Sequence, residues 1–174
     1  MKKTAIVLVA AVLMAACGAD REKEIKNISD HEVALSTIDI SMDDSEAVEM
    51  LELYRQFAAD FPEDSLTPGY LMRAADLCIN IGQTEQAISL IDTVLTLYPG
   101  YEDIAGCYFM KGYAYDSAEQ YEEAREAYTY FVENYPDHYL ANDTRKMLDY
   151  LGMTPEEMFD AVMNAANDKN LAQQ

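Results

Sequence analysis

The chain has 174 residues, half of them hydrophobic, and its 12 Lys and Arg against 32 Asp and Glu give a net charge of −20. That length suits one ordinary domain with terminal segments, and sparse Gly and Pro exclude a collagen-like or low-complexity chain. So acidic a surface repels phosphate backbones and anionic headgroups, which excludes nucleic acid as a partner.

The first predicted element is a targeting signal. Met1-Lys2-Lys3 is a short positive start, and Ala5 to Ala16 is an unbroken apolar run. The run is shorter than the roughly 20 residues that span a bilayer. It fits the apolar core of a secretory signal followed by small residues at a cleavage site. The run ends Leu13-Met14-Ala15-Ala16-Cys17, which resembles the lipobox of bacterial lipoproteins, with Met14 where Leu is commonest. The resemblance implies a signal peptide over 1–16, cleavage before Cys17, and fatty acylation (palmitate-type chains) of its thiol and new amino group. One acyl chain anchors only marginally, whereas two or three hold a protein on a membrane. The alternative is an ordinary secretory signal with an incidental Cys. Gly18 does not resemble an inner-membrane retention signal, so the expected location is the cell envelope, lipid-anchored at the outer membrane.

Residues 17–43 are mostly polar and read as a linker, with a reach of roughly 28 Å if flexible. Ile38, Ile40 and Met42 alternate within it and would suit a short extended segment.

From residue 44 the pattern becomes helical. Asp43 with Glu46 suits a helix cap, and helices are predicted over 45–61, 67–82, 84–97, 103–118, 121–134 and 138–151. Thr67-Pro68 places Pro at the start of the second of these. Thr154-Pro155-Glu156-Glu157 is a capping box opening a last helix to 167. Met158, Phe159, Val162, Met163 and Ala166 form that helix's apolar stripe, as expected of a terminal cap on a repeat array. Residues 168–174 are expected to fray.

Three of these helices end alike, at Pro62, Pro99 and Pro136, 37 residues apart each time. Tyr108, Lys111-Gly112, Tyr115, Ala124, Tyr128 and Pro136 follow the tetratricopeptide spacing W-x2-L-G-x2-Y…A-x3-F…P. Leu71, Ala74-Ala75, Cys78, Ala87, Ile91 and Pro99 repeat it one period earlier. The chain therefore resembles tetratricopeptide repeat proteins across 70–136. It departs from the family in having no Trp, Lys111 for Leu, Cys78 for Tyr, and a 37-residue period. The long period and Tyr-Pro-Asp ending are similar to the envelope repeat proteins of the barrel-assembly machinery lipoprotein and the periplasmic coordinator that binds TolA. The resemblance implies an all-α fold, a tetratricopeptide-like helical hairpin solenoid of about seven helices over 44–167. Gly112, Ala75, Ala87 and Ala124 stand where two helices cross closely. Cys78 and Cys107 lie inside helical patterns as small buried hydrophobes, and a bridge between them is left open.

Helical-repeat arrays bind partners on the surface lined by the first helix of each pair. By that analogy the partner-binding residues are Met72, Asp76, Ile79 and Asn80, then Phe109, Tyr113, Asp116 and Ser117. The opposing reading is that Phe109 and Tyr113 simply pack against neighbouring helices. Asp76 and Asp116 would repel a peptide's terminal carboxylate, so the carboxylate clamp of cochaperone repeats is not expected. Eleven of the thirteen Tyr fall between Tyr98 and Tyr150; Tyr101, Tyr113, Tyr121, Tyr130 and Tyr139 lie outside the family's core positions and suit a contact surface.

His31 and His138 are the two histidines, and no metal-binding, phosphate-binding or nucleophile motif accompanies them. No catalysis, metal or cofactor is expected. The expected function is a membrane-anchored lipoprotein scaffold or adaptor that holds an envelope protein or peptide. The alternative is an envelope lipoprotein that binds a small ligand or glycan in a Tyr-rich groove.

Overall fold

The computed structural model describes residues 20–34 and 44–171, the side chains of 44 and of 165–171 excepted. The signal segment 1–16, Cys17, the alternating Ile38, Ile40 and Met42, the capping Asp43 and the last residues 172–174 lie outside the described residues. Among the described residues there are eight α-helices and no strand. They are α1 (20–34), α2 (Asp44–Asp60), α3 (Thr67–Asn80), α4 (Thr84–Leu97), α5 (Ile104–Ser117), α6 (Tyr121–Asn134), α7 (Ala141–Tyr150) and α8 (Pro155–Leu171).

The 37-residue period is written into the backbone. The last turns of α2, α4 and α6 close with the same bond, Phe61 N–H to Phe57 O, Tyr98 N–H to Val94 O and Tyr135 N–H to Phe131 O. The following turns repeat too, with Asp64 N–H donating to Phe61 O, Tyr101 N–H to Tyr98 O and His138 N–H to Tyr135 O. The first turns of α3, α5 and α7 close through Tyr70 N–H to Leu66 O, Cys107 N–H to Asp103 O and Thr144 N–H to Leu140 O. α7 therefore starts in register with α3 and α5, one further period along the chain. It begins at Ala141, three residues later than the pattern suggests, because residues 137–140 are spent on that turn. Pro68 is likewise the second helical residue, not the first, behind Thr67.

The chain divides into two compact units, to Tyr101 and from Glu102. In the first, α2 packs on α3 and α3 on α4. Fully buried Phe57 meets Tyr70 edge-on at 4.8 Å between centroids, and Tyr54 stacks on Tyr70 at 5.4 Å. Ala74, Ala75, Cys78, Ala87, Ile91 and Val94 are sealed from solvent between α3 and α4.

The stretch read as a linker, whose order the sequence leaves open, holds α1 over 20–34. Ile28 is buried. Arg21, near the start of α1, pairs with Asp64 after the end of α2, while His31 Nε2 lies 3.4 Å from Glu49 Oε1 near the start of α2. α1 is thus antiparallel to α2. Glu32 accepts from Tyr54 Oη at 2.7 Å and pairs with Arg73 of α3. Contact with α2 and with the next hairpin's first helix is the environment of a first helix in a repeat.

In the second unit, α5 packs on α6 and α6 on α7. Tyr128 and Ala124 are fully buried, with Phe109, Tyr115, Met147, Leu148 and Leu151 packed around them. The crossing is as close as the small residue implies: a Cβ at Gly112 would come within 2.7 Å of Tyr128 Cε1. Thr154 and Glu157 form the expected capping box. Thr154 N–H donates to Glu157 Oε2 at 2.8 Å, and Glu157 N–H to Thr154 Oγ1 at 3.3 Å. α8 runs to Leu171, beyond the expected end at 167. Its stripe does not act as the expected cap, since Met158, Phe159, Val162 and Met163 are all exposed. α7 and its turn already close that end of the core, through Met147, Leu148 and Leu151, with the Tyr121 ring 3.1 Å from a Cβ placed at Gly152.

Candidate partner-binding surface

The eight residues assigned to a partner surface fall into two sets, one in each unit. In the first unit, α3 carries Met72 and Ile79, both buried, and Asp76 and Asn80, both exposed. The apolar pair belongs to the core, so only the polar pair is presented to solvent. Partial desolvation of the Asp76 carboxyl by its neighbours on the helix surface raises its pKa from the usual carboxylate value. Charge desolvated at a surface position carries a penalty that a donor from a partner would relieve.

In the second unit, α5 presents an aromatic shelf. Phe109 and Tyr113 lie one helical turn apart with parallel rings, 8° between planes and 6.5 Å between centroids. Phe109 is half-buried and touches Tyr128 and Phe131, each at 5.7 Å between centroids. Tyr113 is 41 % exposed, so the shelf is rooted at one end and open at the other. Asp116 is half-buried, accepts a long hydrogen bond from Tyr128 Oη at 3.5 Å, and is pushed up by burial, the hydrogen bond opposing. Ser117 is exposed beside it. The arrangement offers a rigid apolar face with an acceptor at its edge, which suits a side chain bearing both an apolar stem and a donor.

The aromatic system continues beyond the assigned residues. Phe131 meets His138 at 5.2 Å and His138 meets Tyr139 at 4.5 Å, and Tyr139 is almost fully exposed. Tyr108 contacts Tyr130 at 4.5 Å and Tyr135 at 5.7 Å. Its hydroxyl is pushed up to about 12, first by the hydrogen bond with Tyr130, then by burial. Tyr113, Tyr121, Tyr130 and Tyr139 are exposed as expected, whereas Tyr101 is half-buried. Phe131 is fully buried and links the shelf to His138. Their signal was Phe131 five residues before the repeat's Pro136, with His138 just after it.

A cleft of about 850 Å³ lies between α1 and the end of α2, lined by Asp20, Lys23, Glu24, Asp30, Asp60 and Phe61. Its walls are charged, unlike the apolar lining of a small-molecule pocket. Glu24 is pushed up, first by burial and then by the neighbouring Asp60. Among the described residues, no group of three or more His, Cys, Asp or Glu side chains is placed to hold a metal ion. No described helix is long and apolar enough to cross a membrane.

Residues 107–138 match the tetratricopeptide repeat family. The match covers one hairpin, and the backbone pattern carries the same period outward to α3 and α7. No curated protein matches the chain. Tetratricopeptide repeats in general mediate protein–protein interactions.

Proposed function

We propose that this chain is a lipid-anchored adaptor of the bacterial cell envelope, held at the outer membrane through Cys17, whose repeats bind an envelope protein or peptide. The observation that carries the binding role is the open aromatic shelf of Phe109 and Tyr113, on the first helix of the hairpin that matches the repeat family. An aromatic pair rooted at Phe109 and open at Tyr113, on a rigid helix, loses little entropy on binding. The anchor rests on the Leu13–Cys17 sequence and on the need for more than one acyl chain to hold a protein at a membrane.

The reading assigns no catalysis. Cys107 Sγ donates to the backbone carbonyl of Asp103 at 3.4 Å, and His138 Nε2 lies 3.7 Å from the carboxylate Oδ1 of the same residue, so the thiol and the imidazole meet different groups of Asp103. The thiol is also fully buried and pushed up to about 12, chiefly by burial and then by Asp103. A nucleophilic Cys needs exposure and a lowered pKa. This one has neither and serves as core.

In-cell crosslinking of the lipidated protein tests the proposal, with Tyr113→Ser and Cys17→Ser alongside. A protein crosslinked by wild type and lost in Tyr113→Ser, whose exposed site leaves folding intact, supports the shelf. Capture unchanged in Tyr113→Ser removes the shelf from the proposal. A Cys17→Ser chain that stays in the membrane fraction refutes the anchor. If wild type crosslinks to nothing, the adaptor role fails and thermal shifts with cell-wall fragments and sugars test the ligand-binding alternative.

A further inference from the structure

α8 is capped by its own Thr154–Glu157 box, so its helix is set before any partner arrives. Met158, Phe159, Val162 and Met163 fall at i, i+1, i+4 and i+5, which at the helical period is a single stripe. They are 41 %, 64 %, 48 % and 46 % exposed, and Met153 just ahead of the helix is 39 % exposed. Single exposed apolar residues are ordinary, but a run of large ones on one face marks an interaction site.

The charges beside the stripe are of one sign. Glu156, Glu157 and Asp160 lie between or next to the apolar positions, and the sequence has no Lys or Arg between Lys146 and Lys169. A second copy of this chain would bring acid against acid, on molecules that each carry a net charge of −20. A helix with an apolar face flanked by Lys or Arg matches the stripe and its border together. We propose that α8 is a docking surface for an amphipathic, basic-flanked helix of another protein. The site is separate from the Phe109–Tyr113 shelf and stands or falls independently of it.

The test uses the full chain and three labelled peptides of about 18 residues, followed by fluorescence anisotropy. One has a Leu stripe flanked by Lys, the second has the same composition shuffled to destroy the stripe, and the third has Glu in place of Lys. The ordered Lys peptide is expected to bind at least about tenfold tighter than either control, and more weakly as salt rises. The double variant Phe159→Asn, Val162→Asn is expected to weaken it at least about tenfold, with helical circular dichroism unchanged. Tyr113→Ser leaves this binding intact, which separates the two surfaces. Equal binding of the shuffled peptide, full binding by the double variant, or no binding of the ordered peptide overturns the proposal. So does a wild-type dimer in sedimentation that the double variant does not form, because a second copy would then be what covers the stripe.

Discussion

At the scale of single residues, the spacing of the repeat translates into contacts with defined costs. Gly112 faces the ring of Tyr128, which is fully buried and has no room to turn away. Gly112→Ala gains helix propensity of about 1 kcal/mol but forces the ring or the helix to shift, at about 1–3 kcal/mol. A net loss of stability is expected, read as a lower urea midpoint. Gly106→Ala is the contrast. There the new methyl meets the exposed carboxylate of Asp103, which can move aside only by giving up its cap on Gly106 N–H at 3.1 Å, so the expected cost is that of a lost helix cap. Another position shows the repeat under strain. Gly82 and Glu119 occupy the same place in two successive hairpin turns, 37 residues apart, with φ of 72° and 58°. That conformation costs a non-glycine residue roughly 1 kcal/mol, so Glu119→Gly is expected to raise stability by up to about that amount in the same measurement. The sequence marked Gly112 by its place in the spacing. It did not mark Glu119, because Glu fits a helix border and nothing in its type shows the sign of φ.

At the scale of elements, the helices with an apolar stripe were legible and α1 was not. Residues 84–97 and 121–134 were bounded to the residue by their patterns. α1 shows only Ile25 and Ile28 at helical spacing among charges, too narrow a stripe to stand out. The period did not locate it either, since stepping 37 residues back from Thr67 falls on Asp30, inside α1 instead of at its start. α1 is held by one buried Ile and by ion pairs, so Ile28→Ala is expected to release it. Hydrogen exchange should rise over 20–34 with α5 and α6 unchanged; equal rises throughout would mean that α1 is integral to the whole fold. Acid should loosen α1 at one clamp. Arg21 holds the Asp64 carboxyl below its ordinary value. Its contribution is therefore complete above that ordinary value and lost as pH falls through the folded one. α8 reverses the situation of α1. Its apolar stripe was evident in the sequence, but the stripe cannot show whether the same chain covers it.

At the scale of the whole molecule, the buried aromatic and thiol groups set the alkaline limit. Burial is the first cause that raises Cys78, Cys107, Tyr54 and Tyr128, with Cys107 reaching about 12. The folded state favours their neutral forms, whereas the unfolded chain ionises them near the ordinary 9.0 and 10.0. Below the unfolded values this stabilisation is complete. As pH rises through the window between the unfolded and folded values, the unfolded state binds fewer protons and stability falls. A flat urea midpoint from about pH 7 to 8.5 and a steep fall above about pH 9.5 are expected. Tyr128→Phe should flatten part of that fall.

The sequence by itself determined the helical class, the 37-residue period and the residues that seal each hairpin, because helix periodicity and the need for small residues at a crossing are local properties of the chain. It also carried the resemblance of Leu13–Cys17 to a lipobox, which is read from residue types alone. Only the tertiary structure decided which faces are covered. Met72 and Ile79 went into the core, Tyr113 stayed open, α1 was taken up against α2 and α3, and the stripe of α8 was left to solvent. A stripe states that an apolar face exists. What buries it depends on neighbours distant in sequence, and those are fixed only when the helices pack.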